Sequence, residues 1–176
     1  MSRDLRFPKQ FGDFAETLSM YVLGLQNWSV ALIDHVGADL IAVSRENTSI
    51  RLAISVKGRN FPDNESRSFS FDKNNIDKLK ATAELLGMEP AISFVFVDKQ
   101  EECQKIRVIM AKISDLEELA LDSQIHFVNY NRENGLQIKF THSQRIKHLE
   151  NIKQTKKMYY SELSINELNS FDKLGL

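Results

Sequence analysis

The sequence predicts an α/β domain with a central mixed β-sheet flanked by helices. Three observations carry that reading. Apolar residues recur at helical spacing over Phe11–Asn27 and again from Ile76 to Leu86, and three β-rich runs lie between these segments. The later stretch "PAISFVFV" is apolar without alternation, the pattern of a strand buried on both faces. At 176 residues the chain is expected to be one domain, 1–176, able to bury roughly 70% of the surface its unfolded form exposes.

Taken in order, Phe11, Phe14, Leu18, Val22 and Leu25 define the apolar face of the first helix. "WSVALIDHV", "ADLIAVS" and "SIRLAISVK" follow as a meander of three strands with short polar breaks. A polar loop from Gly58 to Asn74 leads into "NIDKLKATAELLG", whose face is Ile76, Leu79, Ala83 and Leu86 and whose stop is Gly87. After the buried strand, "KIRVIMAKI" predicts another. "SDLEELALD" reads as a capped amphipathic turn, with Ser114 as N-cap and Glu117 at the capping-box position, and "QIHFVNYNRENGLQIKF" as a hairpin around Asn134-Gly135. The segment from His142 to about Tyr160 is expected to be helical, and the tail beyond it a short amphipathic piece.

Composition excludes several function classes. A net charge of −1 does not announce a nucleic-acid partner. The cations Lys139, Arg145, Lys147, Lys153, Lys156 and Lys157 scatter around a helix projection rather than forming a stripe. The single cysteine, Cys103, permits no intramolecular disulfide and no cysteine-rich zinc site, and its acidic, polar surroundings do not favour a thiolate. His35, His126, His142 and His148 show no paired metal spacing, and no Gly-rich phosphate loop is present. The opening residues lack the apolar core of a secretory leader, and "AISFVFV" is too short to cross a bilayer. The expectation is a soluble cytoplasmic protein with no membrane partner.

The chemistry concentrates in the stretch from Gly37 to Arg59. In the strand Ser49–Lys57, alternation puts Ile50, Leu52, Ile54 and Val56 on one face and Arg51, Ala53, Ser55 and Lys57 on the other. Whether Asp39, on the preceding strand, meets Ser55 and Lys57 depends on hairpin register. A loop of three or five residues centred on Asn47 sets Asp39 opposite Ser55; a loop of two or four sends it to the other face.

The order of a glutamate-bearing helix, a strand, "GADLIAV", a hairpin, "ISVKGR", a helix and an apolar strand resembles the core of the PD-(D/E)xK nucleases. This is the restriction-endonuclease-like superfamily, which includes Holliday-junction resolvases. The resemblance covers roughly Phe11 to Asp98, leaving the strands and helix of 99–176 as C-terminal additions. It implies that Glu16 in "GDFAETL" matches the helical glutamate, Asp39 the motif aspartate and Lys57 the motif lysine. Ser55 stands where the family has aspartate or glutamate. The implied site binds Mg²⁺, for which Mn²⁺ can substitute, through Glu16, Asp39 and the backbone of Val56, with Ser55 lining it and Lys57 assisting hydrolysis. Replacing a carboxylate by a hydroxyl removes a unit charge, and a charge pair at ~4 Å is worth about 4 kcal/mol at an effective dielectric of ~20, before desolvation. Metal affinity is therefore expected to fall by orders of magnitude unless another acid, such as Asp34, substitutes.

Each residue also has a structural reading. Glu16 projects about 160° from the main apolar face of its helix and can simply face water, although Met20 and Leu23 suggest that this side is buried too. Asp39 can cap the turn at Gly37-Ala38, and Lys57 can protect a sheet edge. Arg59, Arg67 and Lys73 interleave with Phe61, Phe69 and Phe71, a pattern suited to contacting nucleic acid. The favoured reading of "SFSF" is instead a short strand whose rings enter the core. Three functions remain open at this point: a metal-dependent hydrolase of DNA phosphodiester bonds, a nuclease-fold module that binds nucleic acid or a protein partner without cutting, or a purely structural interaction protein. Dimerisation is common in the superfamily the chain resembles, but no residue here establishes an interface.

Overall fold

The three β-rich runs form the expected meander, β1 (Trp28–His35), β2 (Ala38–Ser44) and β3 (Arg51–Phe61), packed beneath the long helix α1 (Phe7–Leu25). These come from a computed structural model that describes residues 7–61, 67–100, 103–121, 128–131, 133–140 and 145–166. A short strand β4 (Arg67–Phe71) and helix α2 (Lys73–Leu86) then carry the chain to β5 (Glu89–Gln100), which pairs with β3 in parallel. Strand β6 (Cys103–Lys112) adds antiparallel to β5, and α3 (Ile113–Leu121), the hairpin β7 (Val128–Asn131) and β8 (Gly135–Phe140), helix α4 (Arg145–Gln154) and β9 (Tyr159–Asn166) complete the chain. The main sheet has the order β1-β2-β3-β5-β6-β9 and mixes one parallel pair with antiparallel ones, so the predicted fold class is the one observed. A smaller sheet, β4-β8-β7, stands beside it.

Strand β5 explains why two apolar cores exist. From Ala91 to Phe96 every residue is buried. Ala91 and Val95 join Ala15, Leu18 and Val22 of α1, whereas Ile92, Phe94 and Phe96 join Ile76, Leu79 and Ala83 of α2 and the rings of the smaller sheet. Period-two alternation thus feeds both faces of the sheet, and the uninterrupted apolar run is the sequence trace of that double burial. Among the described residues no helix is long and apolar enough to cross a membrane.

Several boundaries differ from the sequence expectation. The buried stripe of α1 is Ala15, Leu18, Ser19, Val22 and Leu23, while Phe14 and Leu25 are exposed. Bulk alone therefore mis-centred the helix face, because small residues at 15 and 19 allow the closest approach to the sheet. The loop expected from Gly58 to Asn74 is shorter, since β3 continues to Phe61 and β4 occupies "RSFSF", burying Phe69 and Phe71. Ser114 is not an N-cap: α3 starts at Ile113 and Ser114 lies inside it. His126 and His142 fall outside the described residues.

The expected C-terminal helix also stops early, at Gln154, and Tyr159–Asn166 is an edge strand rather than a short amphipathic piece. Its partner decides this. Arg107 of β6, only 3% exposed, lies opposite Glu162 and is bonded to it at 3.1 Å and to the Tyr160 hydroxyl at 3.0 Å; Lys105 pairs with the same carboxylate at 3.3 Å. Burial alone would raise the Glu162 carboxyl, but the Tyr160 hydrogen bond, Arg107 and Lys105 outweigh it and hold the group down to about 2. A depressed carboxyl stabilises the fold above its ordinary value and loses that contribution as pH falls. Urea unfolding of Glu162→Gln should accordingly show a stability deficit, roughly 1–3 kcal/mol at pH 7, that shrinks as pH falls from the ordinary carboxyl value of 4.5 towards about 2. A deficit constant across that window would contradict the assignment.

Candidate functional site

The β2–β3 hairpin has the odd loop on which the sequence reading depended. Its ladder pairs Leu40 with Ile54, Ile41 with Ala53, Ala42 with Leu52 and Val43 with Arg51, a register centred on Asn47. The turn is closed by the Ser44 amide on the Ile50 carbonyl at 3.0 Å and the Ile50 amide on the Asn47 carbonyl at 2.9 Å. Inside it the Asn47 side chain accepts from the Ser49 amide at 3.1 Å, the local bond for which Asn is favoured in turns. One further step in this register sets Asp39 opposite Ser55.

Beyond the last ladder pair the strands exchange side-chain bonds instead of backbone ones. Oδ2 of Asp39 accepts the Ser55 hydroxyl at 3.1 Å and the Val56 amide at 2.6 Å. Because a residue's N–H and C=O leave a strand on the same edge, the Val56 carbonyl faces this gap too. Oδ1 of Asp39 accepts no hydrogen bond among the described residues. Asp39 is half-buried and Ser55 buried.

Glu16 arrives from the α1 side. Gly58 fixes the approach: a Cβ there would lie 2.8 Å from the Phe11 ring and 3.2 Å from the Ala15 Cβ, so glycine lets the helix sit on β3 beside the gap. A buried contact of 2.7 Å between the hydroxyls of Ser19 and Ser93 holds the next turn of α1 to β5. Glu16 is partly buried, next to the buried Ala15 and Ser19, rather than turned fully to water. Burial first, then the negative charges of Asp39 and Asp13, push its carboxyl above the ordinary value. Glu16 and Asp39 therefore share a neighbourhood and repel. No hydrogen bond or ion pair among the described residues reaches the Glu16 carboxylate.

Lys57 alternates with Val56 and so projects towards the other face of the sheet. Its ammonium sits 5.1 Å from the centre of the Phe71 ring and forms no ion pair with Glu16 or Asp39. A cation over an aromatic face gains ~0.5–2 kcal/mol, against about 0–1 for a solvent-exposed ion pair, so the ring can compete for the ammonium. The structure thus joins Asp39, Ser55 and the Val56 backbone by hydrogen bonds, sets Glu16 near enough for the Asp39 charge to raise its carboxyl, and leaves Lys57 turned to Phe71. The Phe71 contact is the feature sequence reasoning missed. Alternation in "SFSF" put the ring in the core, but nothing in the sequence tied β4 to the end of β3.

The remaining predicted residues are peripheral. Arg59 is exposed, its Nη1 on the Gly58 carbonyl at 3.0 Å. Lys73, the first residue of α2, is exposed and paired with Asp77 at 3.2 Å. The side chains of Arg67 and Asp34 lie outside the described residues. With Phe69 and Phe71 buried, neither ring is available to stack on a base. Among the described residues no three His, Cys, Asp or Glu side chains converge, consistent with a hydroxyl at position 55. A cleft of about 320 Å³, whose lining includes Leu23, Trp28, Leu52 and Tyr159, shares none of the four motif residues.

No family model matches the chain, and no curated protein does. Among solved structures, the 1.6 Å structure of Hjc, a Holliday junction resolvase from the archaeal hyperthermophile Archaeoglobus fulgidus, is similar to it. The identity is 13%, with 73% of this chain and 85% of that chain covered and a TM-score of 0.45.

The raised Glu16 carboxyl has a measurable consequence. A group favoured in its protonated form weakens the fold as pH rises through its titration. Glu16→Gln should therefore raise the urea midpoint relative to wild type at pH 7, and the gain should disappear at pH values below the ordinary carboxyl range. An equal gain at both pH values would show that the carboxylate's charge is not its source.

Proposed function

We propose that the chain is a metal-dependent, nuclease-like phosphodiester hydrolase acting on DNA, with its site at the open end of the β2–β3 ladder. The observation that carries this reading is that Asp39, bonded through Oδ2 to Ser55 and the Val56 amide, keeps Oδ1 without a hydrogen bond among the described residues and raises the Glu16 carboxyl by its charge, beside a half-buried lysine. Side chains kept for stability alone would pair these charges. The donor set suits a hard divalent cation: Oδ1 of Asp39 and the Glu16 carboxylate accept nothing else among the described residues, the Val56 carbonyl faces the same gap, and Mg²⁺ needs only one or two carboxylates when water and phosphate oxygens complete its shell. When bound, such an ion supplies charge neutralisation at the phosphate and a hydroxide nucleophile.

The roles of the chain's own residues follow from their chemistry. Asp39 and Glu16 would hold the cation. Ser55 and the Val56 amide orient the Asp39 carboxylate by bonding its Oδ2. Lys57, once lifted from Phe71, can donate to a phosphate oxygen or to the attacking water. Arg59, at the same end of β3, is exposed and able to meet a phosphate, while Arg67 and Lys73 extend the basic set in the sequence.

One observation favours the second reading, a nuclease-fold module that binds nucleic acid or a partner without cutting. Ser55 contributes a hydroxyl where a carboxylate would add charge, and that hydroxyl is spent on Asp39. Calorimetry with Mn²⁺ and Mg²⁺, together with cleavage assays on duplex and branched DNA, separates the two. The hydrolase reading predicts millimolar or tighter metal binding that is lost in Asp39→Asn, metal-dependent cleavage that is lost in Lys57→Met, and at least about tenfold tighter metal binding in Ser55→Glu. Metal binding without cleavage of any DNA tested would select the module, and absence of metal binding in both wild type and Ser55→Glu would dismiss the site.

A further inference from the structure

We infer that Phe71 is a positioning residue: its ring holds the Lys57 ammonium off Glu16 and Asp39, so that the two carboxylates stay available to an external divalent cation. The inference rests on the metal-site reading above and assigns that site a component supplied by the smaller sheet. Lys57 lies two residues beyond Ser55 on the same strand face, and Asp39, one of two acids that repel, accepts the Ser55 hydroxyl. A direct ion pair is the simplest outcome for such a set, and it would compete with any metal for the same oxygens. The ammonium instead lies 5.1 Å from the Phe71 ring centre.

Phe71 is built to stay where it is. The residue is 2% exposed, pairs with Leu136 across the smaller sheet, and immediately precedes Asp72, the N-cap of α2, which accepts the Asn75 amide at 2.8 Å. Opposite it, Gly135 (φ +95°) lets β8 press against the backbone that follows the ring: a Cβ there would come within 2.7 Å of the Asp72 carbonyl carbon and the Lys73 nitrogen. Ring, cap and hairpin thus form one rigid unit. The C-terminal hairpin, which lies beyond the part of the chain that resembles a nuclease core, acquires a role at the site by fixing the lysine's resting place.

The test uses the full chain, with Mn²⁺ binding by calorimetry and NMR of Lys57 in metal-free protein as readouts. In wild type the Lys57 ε-protons should show an upfield ring-current displacement. Phe71→Leu should abolish it and weaken Mn²⁺ binding about tenfold as the freed ammonium pairs with the acids. Phe71→Tyr, which keeps the aromatic face, should preserve both. Adding Lys57→Met to Phe71→Leu should restore Mn²⁺ affinity, which general damage to the fold would not allow. Unchanged Mn²⁺ affinity in folded Phe71→Leu, or no rescue by Lys57→Met, overturns the inference. An undisplaced Lys57 resonance in wild type overturns it without any variant, even if Phe71→Leu fails to fold. Wild type that binds no Mn²⁺ while showing the displaced resonance would instead remove the metal-site reading and reduce the contact to packing.

Discussion

The register of one hairpin governs the chemistry of this protein. With the β2–β3 ladder centred on Asn47, Asp39 falls opposite Ser55 and its carboxylate can cross to the Val56 amide. A slip of one residue would exchange every side chain of β2 between the two faces, sending Leu40 and Ala42 out of the α1 core and Asp39 away from the gap. The apolar cost of that exchange, not the polar contacts, is what makes the register secure. The polar contacts of Asp39 are thus held in place by packing other residues away from them.

The gap is reachable from both faces of the sheet, and each face contributes through a different device. On one side a missing Cβ at Gly58 and the Ser19–Ser93 contact bring α1 close enough for Glu16 to feel Asp39. On the other, the smaller sheet and the cap of α2 present the Phe71 ring to Lys57. The acids are left to repel while a cation rests nearby on an aromatic face. That arrangement raises the Glu16 carboxyl instead of neutralising it.

Much of this was legible in the sequence because it depends on local periodicity. The meander, the doubly buried strand around Phe94 and the shared face of Ser55 and Lys57 all follow from period-two alternation, whereas the choice between an odd and an even loop at Asn47 was settled only by the ladder register. The misreadings share a cause, which is reliance on local pattern where a distant partner decides. Phe14 and Leu25 looked like core because they are large, yet Ala15 and Ser19 face the sheet. The stretch at 159–166 read as a helix end followed by a short amphipathic piece because its partner, the buried Arg107, lies more than fifty residues away. Ser114 looked like a cap because the helix start was judged from side-chain types alone. For the same reason the contact between Lys57 and Phe71 could not be read, since it depends on where a three-stranded sheet docks.

The most direct measurement is the location of a paramagnetic ion. Substoichiometric Mn²⁺ added to isotope-labelled protein broadens the amide resonances nearest to it. The two-carboxylate site requires the strongest broadening at Val56, Asp39 and Glu16. Broadening centred instead on the exposed acids Asp72 and Asp77 at the start of α2 and Glu133 in the β7–β8 turn, or spread evenly over the surface, would contradict it.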